Sequence, residues 1–96
     1  MLLEIINKTH FCDMLLLIKK EPKSFNEMLK TLRAYPHTLN RRLKELRKYG
    51  LIEPIVVKIE GKERIKYRLT KKGREILPEI EEFVKLSKKV EERIKS

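Results

Sequence analysis

Apolar residues crowd the start of the chain, at positions 2, 3, 5, 6, 11, 12, 14, 15, 16, 17 and 18. A surface helix needs one apolar stripe, and this segment has two. At ~100° per residue, Phe11, Met14, Leu15 and Ile18 share one face, while Leu2, Ile5, Ile6, Cys12, Leu16 and Leu17 spread over the other. The pattern predicts a first helix over residues 1–20, with one face on the domain's own core. Its other face, with Leu2, Ile6, Leu16 and Leu17, is expected to meet a second subunit. A sandwiched core helix, or a short separate element before Asn7, is the alternative. Glu21-Pro22-Lys23 ends the helix, because proline disfavours α geometry in the residue before it.

The pattern then changes to single stripes. Ser24-Phe25-Asn26-Glu27 fits a capping box, and Phe25, Met28, Leu29 and Leu32 follow at helical spacing, so a short helix is expected over 24–33. Arg33-Ala34-Tyr35 is the turn. Pro36 suits the first position of a third helix, over 36–49, which Gly50 closes. Leu39, Leu43 and Leu46 fall within a ~60° arc facing the core. His37, Arg41, Lys44 and Lys48 centre the opposite face, with Thr38, Asn40 and Glu45 on its shoulders.

From Ile55 the period becomes that of a strand. Residues 55–59 are β-branched or basic, and Arg64 to Leu69 alternates, with Ile65, Tyr67 and Leu69 expected inward and Arg64, Lys66 and Arg68 outward. Glu60 to Glu63 supplies the turn of a hairpin over 54–69, in which Pro54 suits the strand start rather than its interior. Thr70 caps a last helix over 71–95, where Pro78 removes one backbone bond. Positions 76, 80, 83, 87, 90 and 94 advance by alternating fours and threes. Ile76, Ile80, Phe83, Val90 and Ile94 make them a coiled-coil seam interrupted once by Ser87. About 25 helical residues span ~37 Å, more than so small a core requires, so this helix is expected to dimerise.

Charge adds a partner to this outline. The chain has 96 residues and a net charge of +10, and all of the excess lies between Arg33 and Arg74, with 14 Lys and Arg against four Glu. The remainder balances at ten of each sign. Basicity confined to one helix and the hairpin after it is a localised electrostatic footprint, and nucleic acid is the expected partner. A short helix, a tight turn and a helix with a basic outward face form a helix-turn-helix, and the ribbon behind it is a wing. The expected fold class is α+β, mainly helical: a single winged helix-turn-helix domain with a long C-terminal dimerisation helix. Arg41 suits guanine, Asn40 suits adenine, and Thr38 a base or phosphate. Lys62 and Arg64 at the wing tip suit backbone phosphates or the minor groove.

Other function classes find little support. His10 and His37 lie far apart without a metal-ligand partner, Cys12 has no evident base, and Gly50, Gly61 and Gly73 form no phosphate loop. No enzyme, metal or cofactor is expected. The longest apolar run, Met14 to Ile18, is too short to cross a bilayer. One cysteine and a start without a basic leader point to the cytoplasm. Abundant Glu and Lys beside one Asp resemble heat-adapted, including archaeal, composition.

Four stretches carry a family resemblance: Lys23-Ser24-Phe25-Asn26-Glu27, Thr38 to Leu46, Gly50-Leu51-Ile52, and Tyr67-Arg68-Leu69-Thr70-Lys71-Lys72-Gly73. In this order and spacing they resemble winged-helix transcription regulators of the HxlR type, with wider kinship to the MarR and PadR groups. The resemblance covers about residues 10–84. It implies a homodimer on a pseudo-palindromic operator in double-stranded DNA, with Thr38, Asn40, Arg41, Arg42 and Lys44 at recognition-helix positions; His37 and Lys48 join them from the wheel. The family often has a cysteine before its first helix and a tryptophan near that helix's start. Here Cys12 lies within the helix and Trp is absent, so redox sensing is not carried over. Tyr35 stands where serine commonly precedes the proline. Two alternatives stand beside a specific regulator: an architectural protein coating DNA through phosphates, and a winged-helix protein-interaction module. Any small-molecule effector is expected between the first and last helices.

Overall fold

The computed structural model describes residue 8 and residues 10–96. Among these described residues, four helices and one hairpin follow in the order α1 (Phe11–Lys20), α2 (Phe25–Leu32), α3 (Pro36–Lys48), β1 (Ile52–Ile59), β2 (Lys62–Leu69) and α4 (Lys71–Lys95). The mainly helical winged helix-turn-helix read from the sequence is the observed fold.

Local chemistry explains most boundaries. Both halves of the capping box form at α2, with Glu27 N donating to Ser24 Oγ at 3.1 Å and Ser24 N donating to Glu27 Oε1 at 3.0 Å. Arg33 closes α2 in the left-handed region, at φ 51. The hairpin turn is Glu60-Gly61, with φ 53 and 78, the double positive-φ geometry whose twist matches that of the flanking strands. Lys62 and Glu63, expected in the turn, are already paired, opposite Ile59 and Lys58.

Two boundaries differ from the sequence reading. The first helix begins at Phe11 rather than running through from residue 1, because His10 lies at φ 67, a conformation that breaks a right-handed helix. Leu2 and Ile6 lie outside the described residues. β1 begins at Ile52 and carries Pro54 within it, opposite Tyr67. Proline is tolerated there because β1 has a neighbour on one side only. β2 is the inner strand, and its other edge exchanges two bonds with Lys23: Lys23 N to Tyr67 O at 3.0 Å, and Tyr67 N to Lys23 O at 2.8 Å.

The core gathers Phe11, Met14, Leu15 and Ile18 of α1, Met28 of α2, Leu39, Leu43 and Leu46 of α3, then Leu51, Ile52, Leu69, Leu77 and Ile80. Ile80 is therefore core, not seam: it is 5% exposed in a single protomer, and Ile76 packs half-buried against the same cluster. Val84 of α4 still packs against the core, while Phe83, Leu86, Val90 and Ile94 are exposed on the protomer. Leu17 packs against the core, whereas Leu16 is exposed. Ile65, expected inward, is 59% exposed opposite a 64% exposed Val56, because the wing extends past the body and only its root reaches the core.

The start of α4 is held by close backbone contact. Thr70 Oγ1 accepts from Gly73 N at 3.0 Å and donates to the carbonyl of Gly50, while Thr70 N donates to Leu51 O at 3.0 Å. A Cβ on Gly73 would lie 2.2 Å from Leu51 O, well inside contact distance. Gly73→Ala is therefore expected to destabilise the fold by ~1–3 kcal/mol, read as a lowered urea midpoint with an unchanged m-value.

Candidate nucleic-acid interface

α3 owes its orientation to its leucines. With Leu39, Leu43 and Leu46 buried, helical geometry turns His37, Arg41, Lys44 and Lys48 outward, and all four are exposed, as are Asn40 and Arg47. Thr38 is half-buried at the first turn. None of the five basic or imidazole side chains on this face forms an ion pair among the described residues. Their donors are available to an external acceptor.

Arg42 is placed differently from the expectation. It is 7% exposed, and its Nη1 donates to Glu45 Oε1 at 2.6 Å. Glu45 Oε2 accepts from Lys8 Nζ at 2.9 Å, so one carboxylate ties α3 to the segment before α1. Burial pushes the Glu45 carboxyl up, but the hydrogen bonds and charges of Lys8 and Arg42 outweigh it and hold the group below the usual carboxylate range. The helical wheel carried this signal: Arg42 falls beside the leucine stripe, about 65° from its centre, so family position and helix geometry pointed to different faces.

Tyr35, noted in the sequence only as standing where serine commonly caps the helix, was not counted among the site residues. It precedes α3 with no side-chain cap, 74% exposed, and its ring stacks on His37 with centroids 6.1 Å apart and planes at 25°. An aromatic placed where a capping oxygen is preferred gives up helix stability for a contact surface. The signal available in sequence was that missing cap.

Along the wing, register sorts the cations. Arg68, Lys66, Arg64 and Lys62 share one face with Glu53, Ile55, Val57 and Ile59. Toward the root they are neutralised: Arg68 Nε binds Glu53 at 2.8 Å, and Lys66 Nζ binds Glu27 of α2 at 3.2 Å. At the tip, Lys62 and Arg64 are exposed and carry no ion pair among the described residues. Lys62 and Arg64, the residues expected to contact DNA, are thus left unpaired among the described residues, as is Lys58 on the opposite face of the ribbon.

Of the remaining residues, Cys12 is half-buried. Burial and then Asp13 push its thiol up, with Lys88 acting against them, so it stays protonated at neutral pH. No group of three or more His, Cys, Asp or Glu suited to a metal occurs among the described residues, and no described helix is long and apolar enough to cross a membrane.

A family model described as HxlR-like helix-turn-helix matches residues 5–95. The chain belongs to that family. Solved structures repeat the fold. The reduced form of the transcriptional regulator YodB from B. subtilis superposes with a TM-score of 0.73 at 24% identity, over 84% of this chain and 79% of that one. A PadR family transcription regulator from Clostridium difficile R20291 gives 0.82 at 20% identity, over 93% and 100%. The putative transcriptional regulator TA0346 from Thermoplasma acidophilum gives 0.72 at 20%, over 88% and 87%. By sequence, no curated protein matches the chain. As an HxlR-like protein the chain is a DNA-binding winged helix-turn-helix of the transcription-regulator class.

The burial of Arg42 sets an expected outcome distinct from that of its neighbours. Arg42→Ala should lower stability by ~1–2 kcal/mol in denaturant titration. Glu45 has a lowered folded pKa, so its contribution is present above the ordinary carboxylate range and lost as pH falls through the folded value. Glu45→Gln should flatten that acid limb while leaving a stability deficit at neutral pH.

Proposed function

We propose that this HxlR-like protein is a homodimeric, sequence-specific regulator of transcription, with α3 in the major groove and the wing on the phosphate backbone or minor groove. The observation that carries it is the division of labour among cations. Arg42, Lys66 and Arg68 are spent on internal carboxylates, whereas Arg41, Lys44, Lys48, Lys62 and Arg64 are exposed without one among the described residues. On α3 they are interleaved with Asn40, Thr38 and His37, whose donors and acceptors suit base edges rather than phosphates alone. Tyr35, stacked on His37 at the leading end of α3, is added to this reading face. A cytoplasmic setting follows from the partner.

Dimerisation is assigned to the free part of α4. Phe83, Leu86, Val90 and Ile94 are 36%, 61%, 49% and 78% exposed and lie within one arc of the helix, and Ser87 borders it. Leu86 is an addition to the sequence reading, found at i+3 from Phe83. Leu16 of α1, also exposed, belongs to the same proposal. Ile76, Ile80 and Leu17 are spent inside the protomer.

Selection of bound sequences from random DNA at physiological salt tests the central reading; enrichment of a palindrome is expected, and sequence-blind binding would make the protein an architectural one. Arg41→Ala should cost ~1–3 kcal/mol at one base position of the selected site and little on random DNA. Lys62→Ala should weaken binding to all sequences and reduce the salt slope by about one. In sedimentation, Leu86→Asp with Val90→Asp should convert dimers to monomers. A persistent dimer would move the interface elsewhere.

A further inference from the structure

A concavity of about 410 Å³ lies where the end of α1, the root of β2 and the first turns of α4 meet. That volume falls within the ~300–1,000 Å³ usual for small-molecule sites. Its floor is apolar, made by Ile18, Pro22, Leu69, Leu77 and Pro78. Its rim holds four cations, Lys19, Lys20, Arg68 and Arg74, and two acids, Glu21 and Glu81.

Pairing decides what this rim presents. Glu81 is neutralised across the rim by Lys19 at 3.1 Å, and Glu21 by Lys23, outside the pocket, at 2.9 Å. Arg68 is taken by Glu53 at 2.8 Å, also outside. Lys20 and Arg74 are left, exposed and without a carboxylate partner among the described residues. Lys20 stands in the last turn of α1, whose terminal carbonyls absorb part of its charge. Arg74 is the stronger anchor: its Nη1 donates to Leu69 O at 3.0 Å, which fixes the guanidinium and leaves its remaining N–H groups for a second acceptor.

An apolar floor beside a fixed, uncompensated guanidinium is complementary to one kind of molecule. We infer that this pocket binds small monocarboxylates with an apolar body, the carboxylate on Arg74 with Lys20 in support and the hydrocarbon over Leu69, Leu77 and Pro78. The proposal stands apart from the DNA reading, since the pocket shares no residue with α3 or the wing tip. Its walls nonetheless include the root of the wing strand and the helix assigned to dimerisation, so an occupant bridges the two.

Octanoate, below its micellar range, is the probe, with neutral octanamide as its match in shape. Calorimetric titration of the full chain should show one octanoate per chain, raised thermal stability on binding, and about tenfold weaker binding of octanamide, the loss expected for a charge-assisted hydrogen bond. Arg74→Gln should bring octanoate down by that same factor and leave octanamide unchanged; Arg74→Lys should retain part of the preference. Circular dichroism of each variant establishes that it is folded. Saturable binding that fails to appear, equal affinity for the amide and the acid, or loss of binding in Leu86→Asp but not in Arg74→Gln would each overturn the proposal, the last by assigning the site to the apolar stripe of α4.

Discussion

The backbone of Leu51 pressed against Gly73 is the contact on which the two halves of the molecule depend. Leu51 follows the end of α3 and its nitrogen bonds back to Leu46 O at 3.0 Å; its carbonyl accepts from Thr70 N and lies where a Gly73 side chain would otherwise be. The basic third helix, the base of the wing and the start of the long C-terminal helix therefore share one junction. Thr70 locks it from the other direction, capping α4 at Gly73 while donating to Gly50. A glycine is needed because carbonyl and helix approach closer than any Cβ permits. The orientation of α3 relative to α4 is thus set by backbone geometry, which does not yield as flexible side chains do.

Around that junction the protein distributes its charge unequally. Ion pairs tie separate parts of the fold together, Lys8 with Glu45, Lys19 with Glu81 and Lys66 with Glu27, and Arg42 shares Glu45 from within α3. Most are partly exposed and individually contribute little. Their larger consequence is subtraction, since each cation held by a carboxylate is withdrawn from the field available to a polyanion. Among the described residues, the cations left without a carboxylate include Arg41, Lys44, Arg47 and Lys48 on α3, Lys62 and Arg64 at the tip of the wing, and Lys20 with Arg74 at the pocket, beside others such as Lys30, Lys58, Lys72 and Lys89. A lysine-rich composition alone does not distinguish these places.

The same accounting applies to apolar surface. A chain of this size cannot bury every large side chain, and among the described residues those left exposed include Phe83, Leu86, Val90 and Ile94 on α4 and the Val56–Ile65 pair on the wing, with Leu16, Tyr35 and Ile59 besides. On α4 the exposed residues follow a continuous helical arc, the one to which dimerisation is assigned in the proposal above. On the wing the two residues stand opposite each other in register across the strands and stay largely exposed.

Legibility in the sequence followed the range of the interactions involved. Capping at Ser24 and Thr70, the third helix after Pro36 and the hairpin at Gly61 depend on residues within one turn, so each was readable, and the basic face opposite Leu39, Leu43 and Leu46 followed from helical period. The start of α1 at His10, the tie of Glu45 to Lys8 and the stacking of Tyr35 on His37 were not, because backbone conformation and side-chain partners are settled by competing local states and by packing, whereas the place of Arg42 beside the leucine stripe was already on the helical wheel. Ile80 and Ile65 show the limit most plainly: both obeyed a correct local period, yet one belongs to the core and the other to the surface. Period determines direction around an element. How far the core extends along it is decided only when the elements are packed, because burial depends on what stands opposite.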